Sequence, residues 1–480
     1  MTMAASMIKR IALEEWRALA RDRAAVVGLL LLTVLMLVAA LTAYEQQRGA
    51  NAERARYQAQ SNHEFQAQPD RHPHRMVHYG HFLFRPVNPL AAFDPGIDGY
   101  TGSTLFVEGH QQNSANFGDV RQTSLLLRFG QLTPAFVLQV LAPLLLVFFG
   151  HAAVARERES GTLRVLLAQG VASRQLVLGK LLALCGFTAL MLLPALAGLA
   201  WMAASGHAPW LPVLLLAAGY TGWLLLWSLG VVLVSTLFAR GRDALLVLLA
   251  VWTVAVILLP RWIPDLASSA VALPTRYENV INVQRDYLAL GDSHNPQDPK
   301  FAAFRDGLLK QYNVTRVEDL PVNLKGLVSM EGERRSTELF NRYAAAGMDR
   351  QQAQSRLIDH AGWLSPALAL RRLSMTASGT DLASFRSFLE QGEAYRYALI
   401  QGLNKLHAEE VHYADEGQAG KENRISNSHW QGFPPFHYRQ AQVDEILLRA
   451  APAGAALILW ILALTGLTWW LGGRLGRAVR

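Results

Sequence analysis

Apolar residues are concentrated in six long runs that charged residues hardly interrupt. A helix that crosses the roughly 30 Å hydrocarbon layer of a bilayer needs about 20 mostly apolar residues. All but one of the runs contain no Asp, Glu, Lys or Arg; in the fifth, the uncharged core ends at Pro260, and Arg261 can extend to the interface beside Trp262. The pattern predicts six transmembrane spans, at 24–44, 132–154, 181–205, 211–238, 244–263 and 452–471.

The composition agrees with a membrane protein, because 51% of the 480 residues are hydrophobic and only 17% are charged. The first run follows a basic segment, as in a signal peptide, but it is longer than the apolar core of about 7 to 15 residues that such peptides have. We therefore expect an uncleaved anchor. Pro143 and Pro194 lie within spans two and three, where neighbouring helices can satisfy the carbonyl groups that a proline leaves free.

The charges divide between the two sides of the membrane. Residues 1–23, 151–180, 239–243 and 472–480 together carry 15 basic and 6 acidic residues, whereas 45–131 carries 8 of each and 261–451 carries 22 basic and 23 acidic residues. Cytoplasmic loops are the ones enriched in Lys and Arg. Both termini are therefore expected in the cytoplasm of a multi-pass protein of the bacterial cytoplasmic (inner) membrane. Because the basic residues lie in short flanks, we expect no nucleic-acid partner.

These assignments predict an all-α membrane protein with two extracytoplasmic segments. The first inter-span segment, 45–131, is rich in Pro and Gly and is expected to be loop-rich with short strands. The second inter-span segment, 264–451, is expected to be mainly helical, with one helix capped by Thr380 or Asp381. The predicted organisation has five parts. Residues 1–44 form the cytoplasmic N-terminus and span one, 45–131 the first extracytoplasmic segment, and 132–263 spans two to five with a cytoplasmic linker at 155–180. Residues 264–451 form the large extracytoplasmic domain, and 452–480 form span six and the cytoplasmic C-terminus.

The 155–180 linker has an amphipathic pattern. Leu163, Leu166 and Leu167 fall at i, i+3 and i+4 and form one apolar stripe, which lipid, a neighbouring helix or a partner groove can bury. Glu157 and Glu159 precede the stripe, where carboxylates favour the start of a helix. Gly161 permits a bend between them. A helix that simply lies at the membrane interface would show the same pattern.

The linker resembles the coupling segment of ABC exporter permeases of the type-2 class, which includes the permease associated with nitrous-oxide-reductase maturation. The similar residues are Glu157, Gly161-Thr162-Leu163, Leu166-Leu167, Ser173-Arg174 and Gly179-Lys180. This resemblance implies a cytoplasmic ABC ATPase, a second permease copy or a related permease, and ATP used only through the ATPase. It also implies coupling roles for Glu157, Gly161, Thr162, Leu163, Leu166, Leu167 and Arg174. Gly170 departs from the class, which often has Pro near this position.

The second inter-span segment resembles a subfamily of these permeases that carries a large domain of unknown function between spans five and six. The similar stretches are Leu364-Ser365-Pro366-Ala367, Leu373-Ser374, Gly379-Thr380-Asp381 and Glu393-Ala394-Tyr395-Arg396. The two resemblances together touch most of the chain. Neither identifies a substrate.

The histidines of the first inter-span segment suggest a metal site, with His74, His78 and His81 as candidate ligands, because i, i+3 and i+4 spacings converge on a helix. Pro73 and Gly80 argue against a continuous helix there. The alternative is a turn-rich surface whose histidines pack on Tyr79, Phe82 and Phe84.

Two stretches that resemble catalytic motifs have the wrong spacing, which argues against an enzyme. His407 and His412 lie five residues apart, where a zinc-protease helix needs four, and Gly170 to Lys180 has the wrong spacing for a phosphate-binding loop. Together with the six spans, the resemblance to type-2 ABC exporter permeases implies a permease subunit that exports, or helps to mature outside the cytoplasm, an unknown substrate. The alternatives are a non-transporting membrane scaffold or sensor with a partner-binding outer domain, and an intramembrane or outer-face enzyme, which the lack of catalytic motifs argues against.

Overall fold

A computed structural model describes residues 2–115, 132–295, 297–416, 418 and 423–475 of the chain. The end of the predicted first inter-span segment, at 116–131, and the end of the predicted C-terminus, at 476–480, lie outside the described residues.

The six predicted spans are confirmed. Among the described residues, six helical segments are long and apolar enough to cross a membrane. They are α2 (Arg23–Gln66); α4 to α6, which are Pro134–Phe136, Ala142–Gly150 and Ala155–Glu159; α8 (Ser173–Ala204); α9 (Trp210–Leu237); α10 (Gly241–Trp252) with α11 (Leu259–Ala270); and α18 (Val443–Leu475). Between α6 and α8 lies α7 (Thr162–Ala168).

Spans two and five each contain one wider turn of π-helix, at Val137–Leu141 and Thr253–Leu258. Two carbonyl groups within the first of these turns accept hydrogen bonds from other spans: Trp223 Nε1 donates to Leu138 O at 3.1 Å, and Trp252 Nε1 donates to Val140 O at 3.1 Å. Backbone groups inside a membrane need such partners. The indole groups therefore make the irregular backbone before Pro143 tolerable.

The basic N-terminal stretch forms an additional helix, α1 (Thr2–Arg21). It packs along α8, where Gly179 and Gly186 leave room for Ile11 and Trp16. Asp22 then starts α2, because its carboxylate accepts hydrogen bonds from the first free N–H groups of that helix.

The first inter-span segment begins as helix and then becomes irregular. Helix α2 continues to Gln66, because 45–66 contains many Ala, Gln, Glu and Arg residues and no proline, so extending an existing helix needs no new nucleation. The predicted loops and short strands follow, with α3 (Pro73–Val77) and an antiparallel pair of β1 (His81–Phe84) and β2 (Thr104–Val107).

The second inter-span segment is helical, as predicted. Its helices are α12 (Arg276–Leu288), α13 (Ala302–Gln311), α14 (Leu324–Ala361), α15 (Pro366–Ser378), α16 (Leu382–Glu410) and α17 (Ser428–Gln431). Of the two predicted caps of α16, Thr380 and Asp381, the cap is Asp381, whose carboxylate accepts a hydrogen bond from Ser384 N at 3.0 Å. Helices α14 and α16 pack against each other, and β1 and β2 pack on α16 through a core that includes Leu83 and Phe388.

Helix α15 joins this domain to the spans. Leu370 and Leu373 share one core with Tyr220 and Trp223 of span four, and Gly219 gives the space that Leu373 occupies. Because packed cores transmit displacement, α15 and the spans it contacts are expected to move together.

Candidate functional site

The 155–180 linker contains the short helices α6 and α7 and the first turns of α8, with a glycine turn on either side of α7. Gly161 has φ of 77° and Gly170 has φ of 88°, values that side chains with a Cβ rarely adopt. The turn at Gly161 is stabilised further by Thr162, whose hydroxyl donates to the Glu157 carboxylate. The predicted bend is therefore present, and a second bend lies at Gly170.

Lys180 connects the linker to the N-terminal helix. It is 2% exposed, and its ammonium group donates to Glu15 Oε1 at 2.5 Å and to Glu157 Oε1 at 3.0 Å. Arg156 also reaches Glu15, at 3.4 Å. A buried cation between two carboxylates thus holds α1, α6 and α8 in one arrangement.

Helix α6 is fastened to spans four and five through polar groups. Arg158 donates to the last carbonyls of α9, those of Thr236 and Leu237, at 2.8 and 3.1 Å. Glu159 accepts a hydrogen bond from Gly241 N, at the start of α10, at 3.1 Å. Each charge is placed at the helix end whose dipole it complements.

The apolar stripe of α7 faces the protein's own bundle. Leu163 is 2% exposed, and Leu166 and Leu167 pack against the same core. Of the three surroundings open to the stripe, neighbouring helices of the chain therefore bury it. The opposite face carries Arg164 and Val165, and Val165 is 55% exposed.

Arg174 lies at the start of α8 and contacts span six. Its guanidinium carbon lies 4.6 Å from the centre of the Trp469 ring and beside Gly473. The linker and its flanks therefore contact α1 and spans three to six, while the face of α7 that carries Arg164 and Val165 stays exposed.

Comparison with protein families matches residues 10–303 to the family described as ABC-2 family transporter protein. That stretch covers more than half of the chain. The chain belongs to the ABC-2 transporter family. Residues 276–439 of this ABC-2 transporter match a domain of unknown function, DUF3526. Searches of curated proteins and of solved structures give no significant match.

The family result confirms the predicted resemblance to an ABC-2 permease with a large additional domain. The DUF3526 match begins at Arg276, the first residue of α12, and ends after α17, so it includes the α14–α16 pair and α15. The additional domain of this ABC-2 transporter is thus packed onto its spans through α15.

Two of the three histidines predicted as metal ligands come together. His74 and His78 lie within one group with His110 and His294, and one nitrogen of each ring lies within 4.8 Å of the others. Burial and the neighbouring imidazoles lower the pKa of His74 to about 3, and burial lowers that of His110 to about 4, so both rings are neutral at pH 7.

His81 is not part of this group, which corrects the prediction. It lies on the buried face of β1 with Leu83, so its ring points into the core instead of toward α3. The ring centre lies 5.3 Å from that of Phe65 and 6.1 Å from that of Tyr395. Burial lowers the pKa of His81 to about 4.

In a second group, His72, His407 and Glu416, the two histidines hydrogen-bond to the carboxylate. Glu416 accepts from His72 Nε2 at 3.0 Å and from His407 Nε2 at 2.6 Å, and Lys325 lies 3.1 Å from its other oxygen. Burial raises the pKa of Glu416, but these donors outweigh burial and hold it well below its usual range. The carboxylate therefore serves as a clamp between α3, α14 and α16, and the Lys325 ammonium would repel a cation there.

Proposed function

We propose that this ABC-2 transporter is the permease subunit of an exporter whose ATP is hydrolysed by a separate cytoplasmic ABC ATPase. The observation that carries the proposal is the 155–180 linker, which is fastened to α1 and spans three to five by Lys180, Arg158 and Glu159, while Arg164 and Val165 remain exposed. A surface that is small, exposed and rigidly attached to several spans suits the transmission of force from a docked partner.

The proposed mechanism is mechanical. Closure of the ATPase would push the exposed face of α7, and the buried Leu163 would pass that displacement to the core. The Gly161 and Gly170 turns allow α7 to tilt, whereas the ion pairs at α6 keep its base in register with the spans. Glu157, Thr162 and Arg174 would act as positioning residues, since their contacts are within the chain.

A second permease copy is the proposed partner within the membrane. In the most apolar part of span five, Gly241–Ala270, only 17% of the residues are buried, compared with 61% for Trp210–Leu237. An exposed apolar face continues from this span along α12, through Tyr277, Val280 and Ile281, which are 82%, 57% and 65% exposed. Outside the bilayer, lipid does not cover such an apolar face, so contact with a second permease copy would bury the face.

The proposed location is the bacterial cytoplasmic membrane, with both termini and the 155–180 linker in the cytoplasm. The concentration of basic residues in the short connections supports this orientation. This orientation puts both long inter-span segments outside the cytoplasm. There they would receive the exported substrate, or a protein that the transporter helps to mature. The substrate stays undefined.

The test measures ATPase activity of the complex purified in mild detergent from its native host. Val165→Glu should leave expression and monodispersity unchanged, because the side chain is exposed, and should lower permease-stimulated ATPase activity by about tenfold or more, as loss of an interface anchor does. Lys310→Glu, on the exposed face of α13, is the matched control and should retain full activity.

Two results would overturn the proposal. Equal stimulation by Val165→Glu and wild type would remove α7 from the coupling path. Recovery of partners of the outer segments without any ABC ATPase would instead favour the scaffold or sensor function.

A further inference from the structure

Four histidines from distant parts of the sequence meet on the surface of the inter-span segments. His74 lies on α3 and His78 directly follows this helix, and the Nε2 atoms of the two rings are 3.2 Å apart. The rings of His110 and His294 lie 4.7 Å apart, centre to centre, and each lies within 6 Å of the rings of His74 and His78. Three of the ligands come from the first inter-span segment and one from the second.

Local structure holds two of these rings in place. His72 caps α3, because its Nδ1 accepts a hydrogen bond from His74 N at 3.1 Å, and Pro73 occupies the first turn. His110 lies in the tight turn after β2 with φ of 64°, a left-handed conformation that is uncommon for a residue with a side chain. Such strain persists where surrounding contacts fix it and is often found at functional sites.

Carboxylates orient the other nitrogens of two rings. His110 Nδ1 lies 3.5 Å from Glu333 Oε2, and the His110 backbone N–H donates to the same oxygen at 3.0 Å. Glu333 is fully buried and is held in turn by Arg396 at 2.5 Å. His294 Nδ1 lies 3.2 Å from Asp292 Oδ1. In both rings Nε2 is left as the ligand atom, the arrangement typical of metal-binding histidines.

Two other ring nitrogens of the group, His110 Nε2 and His74 Nδ1, are buried and have no hydrogen-bond partner among the described residues, whereas the Nε2 atoms of His74 and His78 lie within hydrogen-bond distance of each other. Buried polar atoms usually have partners, and leaving them without one is costly. A metal ion, which accepts electron pairs from several imidazoles at once, would account for the convergence of the four rings.

We propose that His74, His78, His110 and His294 bind one divalent transition-metal ion, with Zn²⁺ and Cu²⁺ as the best candidates. Imidazole nitrogen suits these ions, and the nearby Glu333 and Asp292 carboxylates balance part of the charge of a site made of neutral ligands. Four protein ligands leave no open position, so the ion would be held structurally and would not activate water. It would join the first and second inter-span segments.

The inference rests on no part of the proposed permease function. It requires only that the two inter-span segments fold against each other as described.

Isothermal titration of the full-length protein tests the site. The protein carries an affinity tag without histidine, is purified in detergent and is stripped with a chelator before titration with Zn²⁺ and, separately, Cu²⁺. Wild type should bind one ion per chain. His78→Ala and His294→Ala should each weaken binding by at least about tenfold, and both should fold normally because these side chains are partly exposed. His63→Ala and His437→Ala, which change exposed histidines outside the group, should bind as wild type does.

Two further measurements separate a built site from scattered surface binding. The Cu²⁺ form should give an electron paramagnetic resonance spectrum with hyperfine structure from several equivalent nitrogens, and Asp292→Asn should weaken binding by about tenfold through His294, as loss of a carboxylate behind a ligand does. Failure of wild type to bind at micromolar ion would overturn the proposal. So would equal binding by His294→Ala, or losses in the control variants as large as those in the site variants.

Discussion

Replacing Lys180 by Met should loosen the attachment of α1 and α6 to the spans. The Lys180 ammonium is almost fully buried and makes charge-assisted hydrogen bonds to Glu15 and Glu157 at 2.5 and 3.0 Å. Such bonds contribute roughly 1.5 to 3 kcal/mol each. The two carboxylate side chains are 20% and 17% exposed, so water would recover part of the loss. We therefore expect destabilisation of about 3 kcal/mol.

The assay is reversible unfolding of the detergent-solubilised protein, followed by circular dichroism. Lys9→Met, on the exposed face of α1, is the control and should change the free energy of unfolding by less than about 0.5 kcal/mol. Adding Glu157→Gln to Lys180→Met should recover part of the loss, because it removes one of the two carboxylates left facing each other. A Lys180→Met variant as stable as Lys9→Met would refute the assigned role of this cation.

Three further predictions concern the inter-span segments. Because the pKa of His81 falls from 6.5 to about 4 on folding, the unfolded chain binds a proton more readily between these pH values. The stability contributed by the neutral ring is therefore fully present above pH 6.5, and up to about 3 kcal/mol of it is lost as the pH falls toward 4. His81→Phe should flatten this part of the curve of stability against pH, and an unchanged slope would contradict the assignment. Gly326→Ala would put a Cβ against the Ala408 backbone where α14 and α16 cross, so the melting temperature should drop by several degrees, whereas an unchanged value would mean that the crossing is looser. Arg396→Met would leave the buried Glu333 unpaired and should lower the free energy of unfolding by about 3 kcal/mol or more, measured by denaturant titration; a loss below about 1 kcal/mol would argue against the network.

The spans could be predicted from the sequence because a membrane segment is defined by its own residues. Hydropathy over about 20 positions is a local property, and the bilayer imposes it whatever the tertiary contacts are. The amphipathic helix α1 gave no such signal, since only one face of it packs on α8 and its mean hydropathy is low.

The surroundings of the 155–180 linker could not be predicted from its own residues. The stripe of Leu163, Leu166 and Leu167 is evident from spacing, but spacing does not say which surface buries it. The bundle does so, and this moves the candidate docking surface to Arg164 and Val165 on the other face.

The histidine group could be predicted only in part, because its members are far apart in the chain. His74 and His78 are helical neighbours, and their spacing suggested a site. His294 arrives from the second inter-span segment, and nothing local marks it as their partner. His81 was a false candidate because it begins β1, where strand alternation turns its side chain into the core; the short strands expected in this segment did not show which face of the strand His81 would take.

The proposed docking of an ABC ATPase on the exposed face of α7 can be tested in the cell. The most direct test introduces a photo-crosslinking amino acid at position 165 in living cells, with position 310 as the control, and identifies the adducts by mass spectrometry. An ABC ATPase should be joined to position 165 and absent from position 310. Expression of both variants at wild-type levels, with no ATPase adduct at position 165, would contradict it.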